Sequence, residues 1–173
     1  MFDDFTEKQI EIFEELSLQI ENELDYSISR HILNSAGIER FRDKQFDMVR
    51  LGIGLYGVSA SGVKGLRNVC TLKTTILQIK TLKVNDTVGY GLKEKLDHDA
   101  QIATIRIGYA DGLSRQFGNR KGRVLINGEF APIIGDVCMD LCMVEVTNIN
   151  AKEGDSVIVF GEDLPVIDLA KSI

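Results

Sequence analysis

The chain has 173 residues, 44% of them apolar and 27% charged, ordinary for a globular protein able to bury one good core or two small ones. Its formal charge of -6 opposes binding to nucleic acid phosphates, and no apolar run approaches the ~20 residues that a membrane-spanning helix needs. Met1 leads into the acidic Phe2-Asp3-Asp4 where a secretory signal would be basic, so the expected compartment is the cytoplasm, with no membrane partner and no nucleic acid partner.

From the N-terminus, Ile10, Phe13, Leu16, Leu18, Ile20 and Leu24 recur at mixed three- and four-residue steps with acids between them, which predicts an amphipathic helix. Thr6 to Gln9 can form a capping box at its start. Short strands are expected around Ile28 to Leu33 and Asp47 to Tyr56, with a turn or helix opening at Asn34-Ser35-Ala36 between them. Helix, strand, helix, strand implies parallel strands joined by crossovers, too few to close a barrel.

After the Gly/Ser stretch Ser59 to Gly65 the pattern changes: apolar and polar residues alternate, β-branched residues rise and turns recur. Strands are expected near Leu72 to Thr81, Ile102 to Tyr109, Arg123 to Ile126, Phe130 to Val137, Cys142 to Val146 and Ser156 to Phe160. Asn127-Gly128 is a two-residue hairpin signal, and Val166 to Ile173 reads as a helix cut short. The expected fold class is α+β, with a mainly antiparallel β domain, partly closed into a barrel, over residues 66–173 and a βα region over residues 1–58.

Few side chains outside these patterns suggest chemistry by themselves. Arg115, Arg120, Lys121 and Arg123 form a basic cluster that reads as a solvated loop. Cys70, Cys138 and Cys142 make an odd count, which fits a reducing compartment. Cys138 and Cys142 stand as Cys-x3-Cys, but two histidines in the whole chain supply no second ligand pair, so both read as small core residues and no metal is expected. Gly52-Ile53-Gly54-Leu55-Tyr56-Gly57 satisfies the dinucleotide fingerprint, yet Val58 to Gly62 reads as a loop where that motif needs a helix. The alternative is that Gly52 lets the backbone approach a ligand phosphate while Ile53 offers its amide. Arg50 lies in an apolar strand, where a guanidinium either finds partners or turns its head to water.

Two strings set a phenol at a glycine-flanked bend: Val88-Gly89-Tyr90-Gly91 and Gly108-Tyr109-Ala110-Asp111-Gly112. Together with His31-Ile32-Leu33-Asn34-Ser35, Met48-Val49-Arg50-Leu51-Gly52-Ile53 and Cys138-Met139-Asp140, they resemble alanine racemase, a pyridoxal-phosphate enzyme. The resemblance runs in order from about Phe2 to the end, over about half the family's usual length, so the chain looks like a fragment. It implies that residues 1–58 are the remnant of a TIM-like α/β barrel and that residues 66–173 are the C-terminal β domain.

The same resemblance implies roles. Ser35, Gly52 and Ile53 would hold the cofactor phosphate, and a hydroxyl at a helix N-terminus suits an anion. Arg50 would face the pyridine nitrogen with His31 supporting it. A guanidinium keeps its proton, which leaves the ring a weaker electron sink than a carboxylate partner would and restrains side reactions such as transamination. Tyr90 would be one of two acid/base groups, on the face of the α-carbon opposite the Schiff-base lysine, whose motif is absent here. A free phenol titrates near ~10, so base catalysis near neutrality needs a tuning partner. The family's tuning histidine lies upstream, and His98 does not match it. Tyr109 would stand near the entrance, and Met139 with Asp140 would contact the substrate carboxylate. Asp136 departs from the family's usual arginine, and Leu51 replaces a common proline.

A head-to-tail homodimer acting on L- and D-alanine is implied, with the isolated chain inactive and binding pyridoxal phosphate weakly or not at all. The alternatives are a racemase of serine or another small amino acid, a non-catalytic β interaction module fused to a cell-wall enzyme, and a nucleotide-binding domain resting on the glycine string.

Overall fold

The computed structural model describes residues 3–173, in two compact units that divide between Val69 and Cys70. In the first unit, α1 spans Asp3–Glu23 and α2 spans Ser35–Arg40. Thr6 and Gln9 lie inside α1 rather than at its start, where the box was expected. Its apolar residues are spread around the axis, so Ile10 is buried while Leu16, Leu18 and Ile20 stay exposed. Phe13 packs edge-on against Phe46 with ring centroids 5.3 Å apart. Ion pairs from Asp3 to Arg40 and from Glu14 to Lys44 add polar ties within the unit.

The two short strands expected at Ile28 to Leu33 and Asp47 to Tyr56 do not form a ladder. Both segments are extended in part and run side by side through two backbone bonds, Asp47 N–H to Arg30 O at 3.2 Å and Arg50 N–H to Leu33 O at 2.9 Å. A lone parallel pair lacks the neighbours that hold strands of a parallel sheet in register. The second segment then tightens into a 3-10 turn over Ile53–Tyr56. A strand followed by a long helix is what a dinucleotide site requires, and this four-residue turn is neither. Asn34 caps α2, its side-chain oxygen accepting from the Gly37 amide at 3.0 Å.

The second unit is built from β1 (Leu72–Leu82), β2 (Thr87–Val88), β3 (Glu94–Lys95), β4 (Ala100–Ile105), β5 (Arg123–Ile126), β6 (Glu129–Ile134), β7 (Cys142–Glu145) and β8 (Ser156–Phe160), followed by α3 (Val166–Ala170). Six strands close a barrel in the order β1-β4-β7-β6-β5-β8, so closure is complete rather than partial. The long β1 achieves it by pairing antiparallel with β8 through Leu72 to Thr75 and with β4 through Ile76 to Leu82.

Alternation places Ala103, Ile105, Val124, Ile126, Ala131, Ile133, Val144 and Val157 in one dry core. Asn127 and Gly128, at φ 50° and 84°, make the tight turn between β5 and β6. Strand β4 ends at Ile105, short of the predicted Tyr109, and β6 at Ile134, short of Val137. Beyond Ile105 the chain runs extended through Gly108 into a 3-10 turn over Tyr109–Asp111, and Gly135, at φ 61°, turns it after β6. No helix among the described residues is long and apolar enough to cross a membrane.

Candidate active site

In the first unit, four of the sequence-predicted residues meet where the two extended segments end. The buried Ser35 hydroxyl opens α2 and accepts from the Gly52 amide at 2.9 Å and the Gly54 amide at 3.3 Å. A hydroxyl whose two acceptor positions are filled has its own proton left to donate. Ile53 follows at the first position of the 3-10 turn. A Cβ on Gly52 would stand 3.6 Å from the Ser35 oxygen, above the hydroxyl. Arg50, at the end of its segment, is exposed and donates from Nη2 to the Ile32 carbonyl at 2.9 Å. His31 is exposed, and among the described residues no hydrogen bond joins it to Arg50.

In the second unit, Tyr90 sits at the tip of the β2–β3 hairpin and is 73% exposed. Gly89 holds φ 79° and ψ -171°, a conformation open in practice only to glycine, so the bend ahead of the phenol depends on it. The ring lines a cavity of about 440 Å³ with Lys80, Thr104, Cys138 and Met143. Tyr109 and Met139 are locked together by backbone: the Tyr109 amide donates to Cys138 O at 3.0 Å and the Ala110 amide to Met139 O at 2.9 Å. Met139 and Asp140 are exposed beside this join.

Asp136 accepts from Asn119 Nδ2 at 3.2 Å and lies 3.8 Å from Lys93 Nζ, so its charge is partly met from the hairpin. Cys142 is buried in the barrel core, where burial pushes its thiol up to about 12, and Cys138 is shifted up by burial and by the Asp136 carboxylate.

The basic cluster is exposed, as expected of a solvated loop, and three of its members also find partners. Arg115 stacks over the Tyr109 ring at 5.9 Å and Arg123 over Phe130 at 4.1 Å. Arg120 donates from Nε to Glu94 Oε1 and from Nη1 to Glu145 Oε2, each at 2.8 Å. His98 joins the same network, with Nε2 at 2.9 Å from Glu145 Oε1 and Nδ1 at 2.5 Å from Asp97 Oδ1. Ionised carboxylates accept only, so a carboxylate at each ring nitrogen favours the protonated form of the ring. Sequence reasoning missed this group because its members lie far apart along the chain.

The hydrogen bonds to Asp97 and Glu145 raise His98 above its ordinary value of 6.5. A raised folded-state value contributes stability that is fully present below 6.5 and is lost as pH rises through the folded value. His98→Gln is therefore expected to destabilise the chain most between the carboxylate range and pH 6.5, and the gap from the parent to close at higher pH. Thermal midpoints of both proteins across pH check this, and a gap independent of pH contradicts it.

Two family models match the chain: "Alanine racemase, N-terminal domain" over residues 2–60 and "Alanine racemase, C-terminal domain" over residues 69–173. An alanine racemase of Helicobacter pylori is 40% identical over 164 residues, covering 89% of this chain and 43% of that protein. Among solved structures, alanine racemase of Clostridium difficile 630 in complex with cycloserine is 37% identical with a TM-score of 0.86, covering 98% of this chain and 46% of that one. Alanine racemase of Bartonella henselae with covalently bound pyridoxal phosphate is 32% identical with a TM-score of 0.81, covering 96% and 46%. The chain thus spans less than half the length of these relatives. With both domain models matched in order and the β barrel shared with solved members, the chain belongs to the alanine racemase family.

Proposed function

We propose that this chain supplies part of an alanine racemase, an isomerase that interconverts L- and D-alanine with pyridoxal 5'-phosphate and two acid/base groups, one of them Tyr90. The observation that carries this reading is a phenol at the tip of a glycine-bent hairpin, 73% exposed over a cavity, in a family whose members are racemases. Inverting a carbon centre needs one group to remove the proton and another to return it from the opposite face. Tyr90 serves one face, and a lysine outside this chain's matched strings serves the other.

The donor set in the first unit fits the cofactor's phosphate. Ser35 can donate its hydroxyl proton, Gly52 leaves the approach to that hydroxyl uncovered, and Ile53 adds an amide at the head of the 3-10 turn. When bound, pyridoxal phosphate supplies the electron sink that makes an amino acid's α-proton removable. Arg50 is set by its bond to the Ile32 carbonyl to offer a guanidinium to the ring nitrogen, and His31 stands next to Ile32 in the same segment. A guanidinium holds its proton, so Arg50 would offer the ring nitrogen a hydrogen bond without passing a proton to it, which would leave a weaker electron sink than a carboxylate partner would. Tyr109, Met139 and Asp140 receive the substrate, the Met139–Asp140 segment meeting its carboxylate.

Residues 1–58 belong in this reading to an α/β barrel and residues 66–173 to the β domain that caps a barrel. The working enzyme is a cytoplasmic homodimer in which the Tyr90 hairpin of one subunit serves the cofactor held by the other, making D-alanine for peptidoglycan.

The isolated chain is expected to form no D-alanine above background from L-alanine and pyridoxal phosphate, because it lacks the second acid/base. A chimera in which this chain replaces the matched segment of the Helicobacter pylori relative is expected to form it. Coupled oxidation of D-alanine reads both. A chimera that folds and binds the cofactor but forms none overturns the proposal.

A further inference from the structure

The hairpin that carries Tyr90 has two residues in each strand, pairing Thr87 with Lys95 and Val88 with Glu94. A ribbon this short does not hold its own shape in water. Its base is anchored by Val88 and Leu96, buried with Ala100, Ile102 and Ile134. Its tip turns through three left-handed residues, Gly89, Gly91 and Leu92. The orientation of the tip therefore depends on what grips β3 from outside.

The grip comes from Arg120. Asn119 and Arg120, at φ 57° and 65°, are successive non-glycine residues in the left-handed region, which L side chains avoid. Two backbone bonds hold them there, Asn119 N–H to Gly135 O at 2.8 Å and Arg120 N–H to Ile133 O at 2.7 Å. An outlying backbone retained this way points to a role for the side chain it aims. That side chain forks between Glu94 on the hairpin and Glu145 on β7, both carboxylates largely covered. Glu145 is itself fixed from its other oxygen by His98 at 2.9 Å and Thr147 Oγ1 at 3.2 Å. Guanidinium forks to carboxylates are strong and directional, so a flexible hairpin is tied to a rigid barrel strand.

We infer that Arg120 is the positioning residue of Tyr90, joining the hairpin through Glu94 to the barrel through Glu145; this rests on the reading of Tyr90 as an acid/base group. Lys93, 3.8 Å from Asp136, is a weaker second tie on the same hairpin.

The test uses the 173-residue chain itself. Backbone relaxation reports the order of the Tyr90 amide, and hydrogen exchange follows the Leu96 amide, bonded to Asp86 O at 2.9 Å, and the Asn85 amide, bonded to Leu96 O at 2.8 Å. Arg120→Met is expected to lower Tyr90 order and speed exchange at Leu96 and Asn85 roughly tenfold, with the Ile76 amide of the barrel, bonded to Asp155 O at 3.0 Å, unchanged. Arg120→Lys, which cannot fork, restores part of the order. Glu94→Gln weakens the same link from the hairpin side and gives the same signature should Arg120→Met fail to fold. Arg123→Met, which removes the guanidinium over Phe130, leaves all of these readouts as in the parent.

Unchanged Tyr90 order in both Arg120→Met and Glu94→Gln overturns the inference. So does equal acceleration at Ile76, which marks a general stability role. Full racemisation by a chimera bearing Tyr90→Phe would instead overturn the acid/base reading and leave the measured tether intact.

Discussion

Tyr90→Phe in the racemase chimera is expected to lower kcat for alanine racemisation roughly 10³-fold, in the middle of the range for loss of a positioned general acid/base. Only the hydroxyl is lost, the group to which the proton transfer is assigned. The ring is 73% exposed, so the substitution empties no core and the thermal midpoint is expected to stay within the small range of surface changes. Comparable losses in kcat/KM and kcat, with cofactor affinity kept, would place the group in the transition state rather than in ground-state binding. Loss of activity with a collapsed midpoint would instead assign Tyr90 to the fold.

Gly108→Ala is expected to cost about 3 kcal/mol of stability, the upper part of the range for an overpacked site. The reason is space and not conformation. At φ -151° the residue is in extended backbone that any amino acid adopts. A Cβ there would stand 2.2 Å from Met139 O and 2.4 Å from Cys138 O, and neither is the end of a flexible side chain. Something must move, and what moves is the join of the Tyr109 and Ala110 amides to those two carbonyls. Gly112→Ala supplies the contrast. Its φ is 94° and nothing lies within 4 Å of the added carbon, so its cost of about 1 kcal/mol is backbone strain alone. Chemical unfolding of the three proteins checks the order, and equal costs would contradict the close approach.

Strand-rich patterning made the second unit legible. Arg123–Ile126 and Ser156–Phe160 form where β-branched residues concentrate, and Asn127-Gly128 turns as two residues tolerant of positive φ should. Two strands were read too long because the apolar pattern runs on past Ile105 and Ile134 while the ladder does not, the chain entering a 3-10 turn at Tyr109 in one case and turning at Gly135 in the other. Closure of the barrel was not legible, since it depends on β1 pairing with strands on both its sides, and pairing is a tertiary fact. The first unit misled for a related reason: Ile28 to Leu33 and Asp47 to Tyr56 carry strand composition, but a ladder needs neighbours.

At the candidate site, the bend at Tyr90 was legible from its flanking glycines, and the family from five short strings in order. Arg120 was not. Its partners stand 26 and 25 residues away, and nothing local distinguishes an arginine that grips two carboxylates from one that faces water.

The central claim is that Tyr90 serves one face of the substrate carbon and a different group serves the other. Deuterium uptake at the α-position, measured separately from L- and D-alanine in heavy water with the Tyr90→Phe chimera, tests it most directly. The account predicts that uptake collapses for one enantiomer and persists for the other. Uptake retained for both, or lost equally for both in a variant that still binds the cofactor, would contradict it.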